Sequence, residues 1–151
     1  MEDFDIICRL AADNADLADF LVVYIAEAHA TDGWAFPMNK YQISNHSSIE
    51  DRLTAAAILA PHLAADMTLV ADSMSDNAQL AYGAFPERLY IVQNGVVEYH
   101  GNQGPFGFYP ADVDTWLKRY RDGLPVKNDR NFVKGEVLCR DGVKGDASKD
   151  R

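Results

Sequence analysis

A chain of 151 residues with 48% hydrophobic content can build one domain with a core of its own, and its net charge of −9 lies in the body, where residues 1–121 hold seven basic against seventeen acidic side chains. That acidity excludes non-specific binding to nucleic acid or to an anionic membrane. No apolar run approaches the ~18 residues of a membrane span, and the opening MEDFDII is acidic where a secretory signal is basic.

The spacing of Phe4, Ile7, Leu10, Ala11 and Ala15 predicts a helix over residues 3–17. It begins almost at Met1, with no cap residue ahead of it. FLVVYIA, residues 20–26, is apolar throughout and rich in β-branched side chains, so it reads as a strand buried on both faces. Residues 27–46 form a connection long enough to imply a task. Ser47 and Glu50 are the expected capping box of a helix that Pro61 ends or kinks. TLVAD, residues 68–72, reads as a second buried strand, and residues 73–85 as a short polar helix or turn.

Pro86 precedes ERLYIVQ, and Asn94-Gly95 joins that run to VVEYH. Asn-Gly between apolar runs signals a hairpin, because both residues tolerate positive φ. Pro110 suits the first position of a last helix, where Val113, Trp116, Leu117 and Tyr120 form one apolar stripe. From residue 122 onward the pattern fades into a tail expected to be mostly disordered, in which Phe132, Val133, Val137 and Leu138 could dock as a short strand. Cys8 and Cys139 show no metal-ligand or redox spacing and read as two free thiols in a reducing compartment. No metal site is expected.

The element order is α, β, α, β, hairpin, α. A strand, a crossover helix and a strand imply parallel neighbours. The whole is an α/β arrangement of thioredoxin-like type, a mixed sheet with flanking helices and its first strand missing. Phe85-Pro86 stands where that fold places a cis-proline.

The segment YIAEAHATDGWAFP, residues 24–37, concentrates the chemistry. Strand alternation would turn Glu27 and His29 to one side, where a carboxylate can hold the imidazole's tautomer for proton transfer. The plainer reading has His29 and Asp32 capping the turn at Gly33, with Trp34 in the core. Tyr24 is an odd step from Glu27 and falls on the opposite face unless the strand end twists. His46 stands beside a helix N-terminus, whose positive potential would keep it neutral; alternatively Asn45 or Ser47 caps and His46 is exposed. His62 and His100 read as surface. Arg88 reads as a surface or inter-strand ion pair. GNQGPFGFYP, residues 101–110, is a shaped loop that could wall an aromatic ligand with Phe106, Phe108 and Tyr109.

ADFLVVYIAEAHATDGWAF, YQI..H..IEDRLTAA, VADSM, AYGAFPERLYIVQNGVVEYHG and GPFGFYP together resemble the iodothyronine deiodinases, over nearly all of residues 1–120. The E-A-H-x-x-D-G-W block carries most of the specificity. The resemblance implies a thioredoxin-like fold and reductive removal of iodine from thyroid hormones or related iodinated phenols. It implies no bound cofactor, but a thiol reductant as co-substrate. It makes Glu27, His29 and Tyr24 the catalytic proton relay. His46, Phe85 and Gln103 become substrate contacts, with Gln103 standing where some members have an arginine. Asp32, Trp34, Pro86 and Arg88 become structural neighbours of the site.

The family's nucleophile is a selenocysteine in a S-C-T-U-P-P-F-M-like motif whose methionine aligns with Met1. That places the selenium about four residues upstream of residue 1, beyond replacement by Cys8. The expectation is therefore a catalytic-domain fragment over residues 1–121, inactive alone and soluble. The full-length member would be a membrane-anchored homodimer with this domain on the cytosolic side. The alternative is a catalytically silent module that binds hormone or dimerises.

Overall fold

Among the described residues, 2–126 of a computed structural model, four helices and four strands follow in the predicted order. Cys139 and the four candidate strand residues of the tail lie outside them. Helix α1 (Glu2–Asp13) stops short of the predicted residue 17. Asn14 is the cause. Its side-chain amide turns back to the Leu10 carbonyl at 2.9 Å, and its own carbonyl accepts the N–H groups of Leu17 and Ala18. The side chain thereby competes with the helix and redirects the chain into β1 (Phe20–Tyr24).

Strand β1 pairs in parallel with β2 (Met67–Ala71), from Phe20 opposite Met67 to Tyr24 opposite Ala71. The expectation of strands buried on both faces fails. Burial alternates along each, leaving Leu21 61% and Val70 40% exposed. A two-stranded pair packed on one face needs only alternation, yet the outer positions Leu21, Val23 and Val70 are apolar as well, so the sequence reads as doubly buried. Between the strands runs α2 (Ile49–Leu59), with Pro61 in the 3-10 turn that follows. The capping box is one residue later than predicted: Ser48 Oγ accepts from Asp51 N–H, and Asp51 accepts from Ser48 N–H. The adjacent Ser47 also donates, through backbone and hydroxyl, to the Asp51 carboxylate.

A short α3 (Asn77–Tyr82) closes at Gly83, held at φ 55°. Strands β3 (Tyr90–Gln93) and β4 (Val96–His100) form the antiparallel hairpin, with Asn94 and Gly95 both at positive φ as the turn requires. Helix α4 (Pro110–Arg121) begins at its proline. Its Val113, Trp116 and Leu117 join Leu10 of α1 and Tyr99 of β4 in the buried cluster. Tyr120, the fourth member of the stripe, stays 39% exposed and stacks on the Trp116 ring. Residues 122–126, assigned by sequence to the tail, fold back instead. Leu124 N–H meets the Arg119 carbonyl, and Val126 packs on the cluster.

The mixed α/β arrangement fits the thioredoxin-like expectation, and the Phe85-Pro86 bond is cis as predicted. The Gly104-Pro105 bond is cis too, which the sequence reading missed. The sheets β1–β2 and β3–β4 are not hydrogen-bonded to each other. Where the end of β1 meets the head of the hairpin, a cleft of about 250 Å³ opens. It is lined by residues 22–28, Leu59 and Pro86. No helix among the described residues is long and apolar enough to cross a membrane.

Candidate active site

The strand ends at Tyr24, and the next three residues leave the sheet. Strict alternation therefore lapses. Glu27 swings back so that its carboxylate accepts a hydrogen bond from the Tyr24 hydroxyl, bringing together two groups that the strand pattern had set on opposite faces. Glu27 is half-buried. Desolvation holds its carboxyl above the ordinary 4.5, with the positive potential of His29 working the other way.

His29 takes a different partner from the one expected. Its Nδ1 lies 3.2 Å from the Trp34 carbonyl. A carbonyl only accepts, so Nδ1 carries a proton, and in the neutral ring the lone pair then lies on Nε2. The loop's own backbone, rather than Glu27, orients the tautomer. The ring packs between Trp34 and Phe36, with centroids 4.9 and 5.8 Å away. Trp34 is 79% exposed, so it is no core residue; it and Phe36 stand out from the surface beside His29. Asp32 fastens this loop by accepting from both the backbone and side-chain N–H of Asn45. Gly33 N–H closes the turn on the Ala30 carbonyl.

His46 is half-buried, not exposed, and neither Asn45 nor Ser47 caps α2. Its ring lies 5.8 Å from that of Tyr24. Burial lowers its pKa below 6.5 and the Arg52 guanidinium lowers it further, against Asp51 and Asp76. The helix terminus is thus not the main cause, as the sequence reading had it.

On the hairpin side, Phe85 offers its carbonyl to the Gln103 side-chain amide. Arg88 forms no ion pair with another described residue. Its guanidinium donates to the Gly101 and Gly83 carbonyls and to His100 Nε2, and lies over the Tyr90 ring. His100 is accordingly half-buried within a clasp rather than on the surface. His62 is exposed, as expected, but it has a neighbour in the Tyr41 hydroxyl at 3.0 Å.

Sequence reasoning missed Glu87. Desolvation raises its carboxyl above 4.5, His29 opposes this, and Asp3 reinforces it. A Cβ at Gly104 would collide with the Glu87 carboxylate, so the glycine makes room for it. The signal was present in the P-E-R order directly after Pro86, but Arg88 as neighbour suggested a surface pair. His29 thus feels two carboxylates, Glu27 from the strand end and Glu87 from the hairpin. An imidazole oriented through Nδ1, two carboxyls disposed to protonation and a tyrosine hydroxyl can pass protons beside the cleft. The exposed aromatics beside them offer faces to a planar apolar ligand. No group of three or more potential metal ligands occurs among the described residues.

The family model for iodothyronine deiodinase matches residues 1–121. The chain belongs to the iodothyronine deiodinase family. Thyroxine 5-deiodinase of Sparus aurata is 45% identical over 116 residues, covering 77% of this chain and 43% of that protein. The thyroxine 5-deiodinase of Mus musculus is 44% identical over 124 residues, covering 82% and 40%, and that of Homo sapiens 44% over 116 residues, covering 77% and 38%. The chain thus spans less than half the length of these relatives.

Proposed function

We propose that this domain performs the proton-handling part of reductive deiodination of an iodinated phenol, thyroxine or a related iodothyronine. The nucleophile is the family's selenol, or a thiol in its place, carried ahead of residue 1. The chalcogenolate attacks iodine, the carbon–iodine bond breaks, and iodine passes to the chalcogen. The aryl carbon takes a proton. A thiol co-substrate then reduces the chalcogen–iodine bond, releases iodide and leaves as disulfide after a second thiol joins. The observation that carries this reading is the convergence of Tyr24, Glu27, His29 and Glu87 beside the cleft at the end of β1.

In this scheme Glu27 hands its proton through Tyr24, His29 moves one at Nε2, and Trp34 and Phe36 receive the aromatic ring. His46, Phe85 and Gln103 border the substrate. The full-length protein is a membrane-anchored homodimer with this domain facing the cytosol. The test is iodide release, dependent on added thiol, from the chain preceded by the family's motif with selenocysteine or cysteine. Thyroxine that is bound but never deiodinated by that chain would overturn the enzyme reading in favour of a binding module.

A further inference from the structure

Arg52 is 3% exposed, and every one of its nitrogens is engaged. Nη1 donates to the Ser73 carbonyl at 2.6 Å and to that of Asp72 at 3.3 Å. Nη2 lies 2.9 Å from Asp76 Oδ1, an ion pair rather than a well-aligned hydrogen bond. The Nε–H points to His46 Nδ1 at 3.3 Å. A guanidinium has no acceptor and does not lose its proton in a protein. Nδ1 must therefore present a lone pair, and the neutral ring's proton sits on Nε2, which is buried beside Tyr24 with no acceptor among the described residues. Protonating Nδ1 would set two N–H groups against each other.

We infer that Arg52 is a positioning residue that fixes His46 as a neutral Nε2–H donor beside Tyr24, incapable of acting as a base through Nδ1. The carbonyls of Asp72 and Ser73, with the Asp76 carboxylate, hold the guanidinium plane and so set the angle of the imidazole. The arrangement divides labour between the two histidines: His29 presents a lone pair at Nε2, His46 a proton. The charged and titratable groups around His46 are Arg52 and Asp51 of α2, Asp76 ahead of α3 and Tyr24 of β1, and burial adds to the guanidinium in disfavouring the imidazolium. This deepens the deiodinase reading and rests on it only for what His46 donates to: an acceptor atom of the substrate.

The test is spectroscopic and independent of turnover. The 151-residue chain is labelled with 15N-histidine, and two-bond proton–nitrogen correlations are recorded across pH, with His46 assigned by loss of its signals in His46→Gln. Expected in the wild type is Nδ1 without a proton, Nε2 with one, and a midpoint below 6.5. In Arg52→Lys the positive charge stays but the fixed fork is lost, so the tautomers mix while the midpoint remains low. In Arg52→Met, which removes the guanidinium's share of the lowering, the midpoint climbs as well, while burial still holds it below 6.5. An Nδ1–H tautomer in the wild type overturns the inference, and that spectrum decides alone where a variant does not fold. An unchanged His46 pattern in folded Arg52→Lys also overturns it, because Arg52 would then only fasten the ends of β2 and α2. The expected tautomer without iodide release from the chain extended by the family's motif overturns the enzyme reading and leaves this one standing.

Discussion

The two histidines of the candidate site, His29 and His46, sit in opposite surroundings. His46 is wedged against a buried arginine whose other donors grip two carbonyls and a carboxylate across β2 and α3. His29 rides on an open loop, oriented by one backbone carbonyl and flanked by aromatics of which Trp34 is mostly exposed. The first environment tolerates little movement, since shifting the imidazole disturbs a network of buried polar groups that is costly to leave half satisfied. The second can adapt to a ligand, since its aromatic faces have few protein neighbours to give up. A site that must hold a bulky aromatic substrate and still control protons gains from having one of each.

The comparison breaks most severely if His29 proves dispensable. His29→Ala, in the chain extended by the family's chalcogen motif, is expected to lower thiol-dependent iodide release by roughly 10²–10⁴-fold, the usual worth of a positioned acid–base group. Its circular dichroism melt should be little changed, because the aromatic partners of the ring, Trp34 and Phe36, are exposed loop residues. Retained turnover would mean that protons reach the aryl carbon another way.

The rigid side can be broken through Asp72, which is 5% exposed and accepts from the backbone N–H of Ser73, Ala78 and Gln79. Asp72→Ala leaves those donors without a partner around the turn that holds Arg52. A loss of about 2–3 kcal/mol in denaturant unfolding is expected. The His46 tautomer should blur in the same variant while the aromatic contacts of His29 persist. If both histidines respond alike, the two environments are one cooperative unit and the contrast fails.

The adaptable side is sharpened by Trp34→Ala. Aromatic contacts are worth about 0.5–1.5 kcal/mol beyond burial. The expected result is a KM for the iodothyronine roughly three- to tenfold higher with kcat nearly kept. Stability should not move, given the 79% exposure of the indole. A fall in melting temperature would show that Trp34 is packing, as the plainer sequence reading supposed.

The contrast also marks what the sequence discloses. Features made by neighbours in the chain were legible: the Asn94-Gly95 turn, the proline opening α4 and the helix–strand order. Even there, one capping box slipped by a residue, since Ser47-to-Glu50 and Ser48-to-Asp51 satisfy the same spacing rule. Features made across the fold were not legible. Arg88 lies thirteen residues from the Gly101 carbonyl and Arg52 twenty from that of Asp72, and no period in a sequence reports such a partner. Tyr24 and Glu27 were placed on opposite faces because alternation assumes the strand continues, and it stops at Tyr24. The E-A-H-x-x-D-G-W block drew attention to Glu27 and His29. It did not disclose that Trp34 supplies its carbonyl to His29 and leaves its indole outside.

The smallest effect concerns the carboxyl that links strand to loop. Burial raises the Glu27 pKa in the folded chain above the 4.5 of an exposed glutamate. The folded state then holds its proton more tightly than the unfolded state, so stability falls as pH rises from 4.5 through the folded value. Glu27→Gln keeps an oxygen for the Tyr24 hydroxyl and removes that dependence. Its thermal midpoint should match the wild type below 4.5 and exceed it at neutral pH, while iodide release drops for want of a titrating group. Equal midpoints at every pH would show that the carboxylate is as well solvated in the cleft as in water. Tyr24 and Glu27 would then be a surface hydrogen bond, and the proton would have to enter from the Glu87 side.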